Sequence, residues 1–377
     1  MLAVRLTATR RVPHVDDLLD DPASALFAGL AVLPEKSALT EYSCRLSHEH
    51  QRSFLAALDQ KMISAGLAAA DEAVFDLDFH AVNWGHDPVL EKRYVPTRSQ
   101  RARPVLTFFA RDSQTRNLVY ASADISKASQ SREVTAFCDR WEQASGADPK
   151  MLVMDQEVTT QDALGELDGR GVRFLTLRMR SPALVRHISA LKPAGFTTIT
   201  LDRPGPHNKP KVREDKAVKL TSYPGTVRQL IVTGLGRDAA TVIITNDHDT
   251  PVRGLITQYA RRMTTGQRLA EIIRAFCAGA LSSAVNLNVD LDIMLAVLAQ
   301  ALLAAFRARL GAGYAAAAPD TIQRRFLDSS GTISLSGDQV TVRIDRRACS
   351  PVLRQASLPA DTTVPWWHGK RLHFEFS

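Results

Sequence analysis

The chain lacks the features that mark several large protein classes. Its 377 residues include only four cysteines, Cys44, Cys138, Cys277 and Cys349, each far from the others. Neither a zinc ribbon nor a disulfide framework is indicated, and reduced thiols in a cytoplasmic protein are the simplest reading. The most apolar segment, residues 293–306, is uncharged but shorter than the roughly 18 residues a membrane span needs. With Asp290 and Asp292 before it and Arg307 after it, the segment reads as part of a buried core helix. Residues 1–12 carry basic side chains but no long apolar stretch, so no signal peptide is read. No internal repeat occurs, and the only low-complexity run is the short alanine tract at 315–318.

What is present is a chain long enough for one large or two ordinary domains, 45% of it hydrophobic, so a substantial core can be buried. Lys and Arg number 47 against 40 Asp and Glu, a net charge of +7 with a pI near 9.4. That excess fits a polyanionic partner such as nucleic acid, and equally a basic soluble protein without one.

Periodicity divides the chain. Residues 1–70 form an N-terminal helical region, in which 53–70 has Leu55, Leu58, Met62 and Leu67 at helical spacing. From 71 to 181 the order is three strands (73–79, 105–110, 118–123), a helix (132–145), a strand (151–154), a helix (159–167) and a strand (173–177). The first of these helices has Val134, Phe137, Cys138 and Trp141 on one side. A meander followed by βαβ units implies a mixed sheet covered by helices. Residues 182–250 are β-rich, with runs at 197–201, 218–220, 227–232 and 241–245. Two helices follow within 251–310, one from near Pro251 to about Phe276 and one over 289–310. The tail, 311–377, holds a hairpin turning at Ser336, Gly337 and Asp338 and a last strand at 371–376.

The segment FDLDFH at 75–80 carries the first chemical signal. A strand alternates its faces, so Phe75, Leu77 and Phe79 point one way and Asp76, Asp78 and His80 the other. Acids on one face of an apolar sheet are costly unless solvated, paired or bound to a cation. A solvated edge strand and a metal site both satisfy this. Asp155 ends the apolar run MLVM at 151–154, where open α/β sheets place ligands, although an aspartate there is also an ordinary turn or helix-cap residue. If the first and fourth strands are neighbours, Asp78 and Asp155 can converge on one Mg²⁺ or Mn²⁺ ion, since hard cations prefer carboxylate oxygens. Two such ions clamp the attacking and leaving oxygens in phosphodiester chemistry. On the helix after Pro251, Tyr259 and Arg262 share a face at i, i+3, within what is also an ordinary amphipathic basic helix.

These stretches together resemble the insertion-sequence transposases of the DDE, RNase H-like group. The matching segments are FDLDFH at 75–80, EKRYV at 91–95, RPVLTF at 103–108, LVMD at 152–155, Thr159 with Thr160, and FLTLR at 174–178. The likeness continues with IITND at 243–247, YARRM at 259–263, ALSS at 280–283 and RRA at 346–348, in matching order over nearly the whole chain. The resemblance implies an RNase H-like mixed sheet with flanking helices and a β-rich insertion before the last catalytic helix. It implies metal-dependent cleavage and strand transfer of DNA at the ends of a transposon and into a target. By resemblance Asp78 and Asp155 are the first two catalytic, metal-binding carboxylates, and Tyr259 and Arg262 are DNA-binding. The implied setting is the bacterial cytoplasm and nucleoid, with no membrane and with a homodimer on DNA as one arrangement.

The chain departs from that pattern at one position. The helix should carry a catalytic Glu at 266, and Gly266 stands there, within TTGQ at 264–267. Loss of one carboxylate removes about one negative charge from the metal cage, and glycine costs a helix interior roughly 1 kcal/mol relative to alanine. Glu271, five residues on, is rotated roughly 140° from position 266 and is a poor substitute. Weak or absent catalysis is therefore expected.

Further basic residues suit a DNA path: Arg98, Arg101 and Arg103 between the first two strands, and Lys209 and Lys211 in the β-rich part. Solvated loops are the plain alternative for them. Trp366 and Trp367 read as packing residues, and His48, Glu49 and His50 as weak metal candidates. Only about seventy residues precede the first catalytic strand, with no clear helix-turn-helix among them, so an N-terminally shortened copy is one reading. Two other functions remain: a non-catalytic DNA-binding remnant or regulator derived from a transposase, and a haloacid dehalogenase-like phosphatase with Asp76 as nucleophile.

Overall fold

The alternating segment forms a strand longer than expected, β1 (Val74–Asn83). In the computed structural model the residues described are 1–7, 12–83, 93–95, 100–102, 104–123, 125, 129–155, 160–201, 207–235, 239–262, 271–273, 275–276, 286–356, 358 and 362–376. After β1 come a small hairpin, β2 (Arg93–Val95) and β3 (Gln100–Ala102), then β4 (Pro104–Asp112), β5 (Leu118–Ser122), β6 (Met151–Val153) and β7 (Arg173–Leu177). The β-rich part supplies β8 (Thr197–Thr198), β9 (Lys211–Lys219), β10 (Thr226–Thr233) and β11 (Thr241–Thr245).

One nine-stranded mixed sheet results, ordered β5-β4-β1-β6-β7-β11-β10-β9-β8. β1, β4 and β5 are an antiparallel meander, while β6 and β7 run parallel to β1. The strands of the β-rich part do not form a sheet of their own. β11 pairs antiparallel with β7, Ile243 opposite Leu177, and carries the sheet onward. A bare β7 edge would leave a row of unpaired peptide groups, which this pairing satisfies.

Helices pack on both faces. In the N-terminal region lie α1 (Leu2–Leu6), α2 (Pro22–Ala28), α3 (Lys36–Cys44) and α4 (His48–Ser64). They are followed by α5 (Gln130–Ser145), α6 (Gln161–Gly169), α7 (Pro182–Ser189) and α8 (Val252–Arg262). On one face Phe75 and Leu77 of β1 meet Leu55 and Met62 of α4 and Val134, Phe137, Cys138 and Trp141 of α5. The Phe75 ring lies 4.5 Å from Trp141 and 5.1 Å from Phe137, centroid to centroid. On the other face Met151 and Val153 of β6 meet Leu255, Ile256 and Tyr259 of α8. The period of two along each strand thus feeds two separate apolar layers.

Other expectations shift by a few residues. α4 begins at His48, because Ser47 caps it by accepting from the His50 amide, and it stops at Ser64, short of residue 70. Val218 and Lys219 of the run expected at 218–220 are the end of β9, so Lys211, for which a solvated loop was the plain alternative, lies in a strand. Its alternate residues are mostly charged, and the apolar period is too sparse to see. α7 was not expected; Ser181 caps it and proline opens it.

The apolar helix Asn286–Arg309 is buried along most of its length, as expected for a core helix. Its Val289–Arg309 part is long and apolar enough by composition to cross a membrane, yet 72% of its most apolar window is buried in the protein. Its two acids are paired: Asp292 with Arg5, and Asp290 with His48 at 2.8 Å and the Ala123 amide at 2.7 Å. His48 is thereby hydrogen-bonded to a buried acid, and His50 turns to Ser47. A second sheet, β12 (Gly331–Ser336), β13 (Gln339–Ile344), β14 (Thr363–Val364) and β15 (Lys370–Phe376), closes the chain in the order β12-β13-β15-β14. Trp367 donates to the Leu30 carbonyl, while Trp366 is exposed. The Cys138 thiol is pushed up to about 12 by burial, which keeps it protonated and unreactive.

Asp59 of α4 is fully buried 3.0 Å from Arg140 of α5, whose guanidinium lies 4.0 Å above the Tyr120 ring. Burial pushes the Asp59 carboxyl up to about 7, with Arg140 opposing only in part. An unfolded aspartate titrates near about 3.9, so stability present below that pH is lost as pH rises through about 7. Asp59→Asn is therefore expected to unfold at a higher temperature than the parent at about pH 8, and at nearly the same temperature below about pH 4. Thermal melts across that range check this; a constant difference would contradict it.

Candidate functional site

The two carboxylates expected to meet do so, through a third residue. β1 and β6 are parallel neighbours in the register Val74 to Met151, Phe75 to Leu152 and Asp76 to Val153. Extending it by two residues brings Asp78 level with Asp155, which lies just beyond the end of β6. The main chain there is tied to β7: the Met154 amide donates to the Leu175 carbonyl at 2.9 Å and the Thr176 hydroxyl to the Asp155 carbonyl at 3.2 Å. Because the β6 ladder stops at Val153 while β1 continues, the flank of β1 at Asp78 is left open on the β6 side.

Arg262 fills that opening. One guanidinium nitrogen donates to Asp78 Oδ1 at 3.0 Å and to the Leu77 carbonyl at 3.3 Å; the other donates to Asp155 Oδ2 at 3.3 Å. The partners are 184 and 107 residues away along the chain. Side-chain exposure is 8% for Arg262, 21% for Asp78 and 44% for Asp155, so the charges become wetter toward Asp155.

The placement of Arg262 follows from local sequence. Val252, Leu255, Ile256 and Tyr259 recur at helical spacing and press the same stripe of α8 onto β6, β7 and β11. Arg262 comes three residues after Tyr259, on that stripe, and must cross the end of β6. Burial of each Leu or Ile contributes about 1.5–3 kcal/mol, enough to hold the helix on the sheet.

The entry to α8 is aimed by Thr245, Asn246 and Asp247. The Thr245 hydroxyl donates to the Phe174 carbonyl and the Asn246 amide to Asp168. Asp247 is 1% exposed and accepts from the Asp249 and Thr250 amides and the Thr250 hydroxyl. Burial would raise its pKa, but these hydrogen bonds and Arg173 more than reverse that, and it is lowered. Arg228 bonds the carbonyls of Asp247 and Thr250.

The electrostatics at the rim follow from burial and pairing. Burial raises the Asp78 pKa; Arg262 opposes this and Asp155 adds to it, leaving it raised. Burial would lower that of Arg262, but Asp78 and Asp155 outweigh it, so the guanidinium stays charged. His80, on the same strand face, is held below its ordinary pKa by burial and is neutral near pH 7.

The remaining site residues fall as follows. Asp76 is buried and accepts from the Ser113 hydroxyl at 2.9 Å, which in turn receives Gln258 of α8 at 3.4 Å. Tyr259 is 3% exposed and part of the apolar layer. Lys209 and Lys211 are exposed, and Arg101 lies in β3. Arg98, Arg103 and Gly266 lie outside the described residues, as does the 264–267 segment. Sequence reasoning assigned Arg262 only to DNA. Its position on the buried stripe of α8 was the available signal, since a core-facing arginine requires an anionic partner.

As donors, Asp78 and Asp155 are hard oxygens on neighbouring strands and suit two ligands of Mg²⁺. Among the described residues no group of three acids, histidines or cysteines that could hold a metal ion occurs. A divalent ion held by this pair would share the two carboxylates with Arg262.

Compared with known proteins, the chain matches no family model and no curated protein sequence.

Removing the guanidinium leaves two close carboxylates without their cation. Arg262→Met, which keeps an apolar stem, is expected to cost about 3 kcal/mol, the lower end for breaking a buried pair because Asp155 is partly solvated. Urea unfolding measures this, and a cost under about 0.5 kcal/mol would contradict the pairing. Asp78 bears on the same point with a pH signature. Its raised pKa means stability is lost as pH climbs from the unfolded value through the folded one. Asp78→Asn is expected to melt above the parent at neutral pH and together with it below about pH 3.9.

Proposed function

We propose that this chain is a transposase-family protein of the DDE, RNase H-like group whose chemistry on DNA is impaired. The observation that carries the reading is the meeting of Asp78 and Asp155, from neighbouring parallel strands, at one residue of the helix that follows the β-rich part. The strand order supports it: a three-stranded antiparallel meander with two further strands parallel to its first is the arrangement of an RNase H-like sheet. The β-rich part precedes the helix that bears Tyr259 and Arg262, as the resemblance implies.

In this reading Asp78 and Asp155 would hold Mg²⁺ or Mn²⁺, and the bound ion would stabilise the charge that develops on phosphate oxygens during cleavage and strand transfer. The chain's own residues set the limits. Gly266 supplies no third carboxylate, and the metal cage lacks one unit of charge. Arg262 neutralises the remaining pair, bonding one oxygen of each carboxylate. Loss of the third ligand and occupation by a guanidinium act in the same direction, toward weak metal binding.

The Arg262 bridge also favours a second reading, a non-catalytic DNA-binding protein or regulator of transposase descent. A site held closed by an internal cation keeps its fold without metal. The phosphatase alternative gains no such support: Asp76, its required nucleophile, is 3% exposed and bonded to Ser113.

Cleavage of supercoiled and element-end DNA with Mg²⁺ or Mn²⁺ separates these readings. The chain is expected to cleave weakly or not at all, and Gly266→Glu to raise cleavage by at least about tenfold, an effect abolished by adding Asp155→Asn. Strong and equal cleavage with glycine or glutamate at 266 would overturn the impaired-transposase reading. DNA binding without cleavage by either form would favour the non-catalytic one.

A further inference from the structure

Away from the acidic pair, the C-terminal part gathers five arginines. The segment Arg346, Arg347 and Ala348 leads into the short Ser350–Gln355 helix, and with Ser350, Pro351 and Arg354 it lines a cleft of about 420 Å³. The backbone of Arg324 and Arg325 is stitched to this loop. Arg347 donates to the Arg324 and Asp328 carbonyls and the Ser329 hydroxyl, and the Cys349 thiol to the Arg325 carbonyl at 3.1 Å. Arg347 also donates its amide to the Ser350 hydroxyl at 2.9 Å, which fixes the turn. Arg354 donates to the Phe376 carbonyl at 3.0 Å, its guanidinium 5.6 Å from the Phe376 ring centroid.

All the acceptors these arginines use are neutral. Arg324, Arg325, Arg346 and Arg354 are exposed. Among the described residues none of the five forms an ion pair, and no acid lines the cleft. Elsewhere in the same part arginines are neutralised: Arg343 pairs with Glu375 at 2.9 Å, and Arg371 with Asp338 at 4.0 Å. Like charges held together without counter-charges repel one another, and a bound anion relieves that repulsion. Guanidinium forks match phosphate oxygens in geometry, and several forks around an open cleft suit successive phosphates better than one small anion. The cleft lining has no aromatic side chain to stack a base, so contact through the backbone alone is the chemistry on offer.

We propose that Arg346, Arg347 and Arg354 form a phosphodiester-binding cleft that grips duplex DNA by its backbone, without reading sequence. The proposal shares its partner with the function proposed above, but not its site, and requires no cleavage.

Anisotropy of a labelled short duplex of arbitrary sequence, titrated at several salt concentrations, tests it. The variant Arg346→Ala/Arg354→Ala leaves Arg347 and its structural bonds in place. It is expected to bind at least about tenfold more weakly at 0.1 M salt, with the log–log salt slope reduced by about 2. The corresponding double lysine variant is expected to keep most of the slope, which separates lost charge from lost folding. Inorganic phosphate at matched ionic strength is expected to compete only weakly; displacement of the duplex by millimolar phosphate would make this a small-anion site and overturn the polymer assignment. An unchanged slope in the alanine variant overturns this proposal alone. A parent chain with no affinity for DNA overturns it together with the DNA partner proposed above.

Discussion

The charge at the rim of the sheet governs how this chain is built. Two aspartates from neighbouring parallel strands lie close enough to repel, and both are partly withdrawn from water. Such a pair is relieved by a bound proton or by a cation beside it. The described structure provides that cation from within, as Arg262 at the last turn of α8. Much of the rest serves that placement. The apolar stripe of α8 fixes its rotation, the Thr245–Asn246–Asp247 turn fixes its starting point, and Thr176 fixes the strand end that carries Asp155.

The same interaction links fold to chemistry. Where a metal would neutralise the carboxylates only when bound, a guanidinium does so permanently, and the site needs no ion to be stable. The internal ion pair lets the two carboxylates keep their positions without an external cation. The arginines that line the C-terminal cleft contrast with it, since among the described residues they form no ion pair.

Much of the fold was legible in the sequence, for reasons that are physical. Strands such as β7 and β11, with dense apolar runs and clear turn residues, fall at their expected bounds. Helix α5 does so within two residues, because Val134, Phe137, Cys138 and Trp141 mark one face without ambiguity. β9 was hidden because charged residues fill most of its length; its pairing is set by β10 and not by its own pattern. That the β-rich part continues the main sheet was also hidden, since pairing partners are a property of the whole chain and not of a segment. At the site, Asp78 and Asp155 were legible from alternation and from the end of an apolar strand. The role of Arg262 was legible only in part: its place on the apolar stripe marks it as core-facing, but its partners depend on α8 crossing β6, which spacing does not reveal.

The central claim is that Asp78 and Asp155 share the Arg262 guanidinium. Carbon-13 NMR of the aspartate carboxyl groups, titrated with acid, measures it at the atoms concerned. The account requires Asp78 to titrate above an ordinary aspartate, and to move higher still in Arg262→Met, as burial and Asp155 act without opposition. An Asp78 titration at the ordinary aspartate value, or one indifferent to the loss of Arg262, would contradict it.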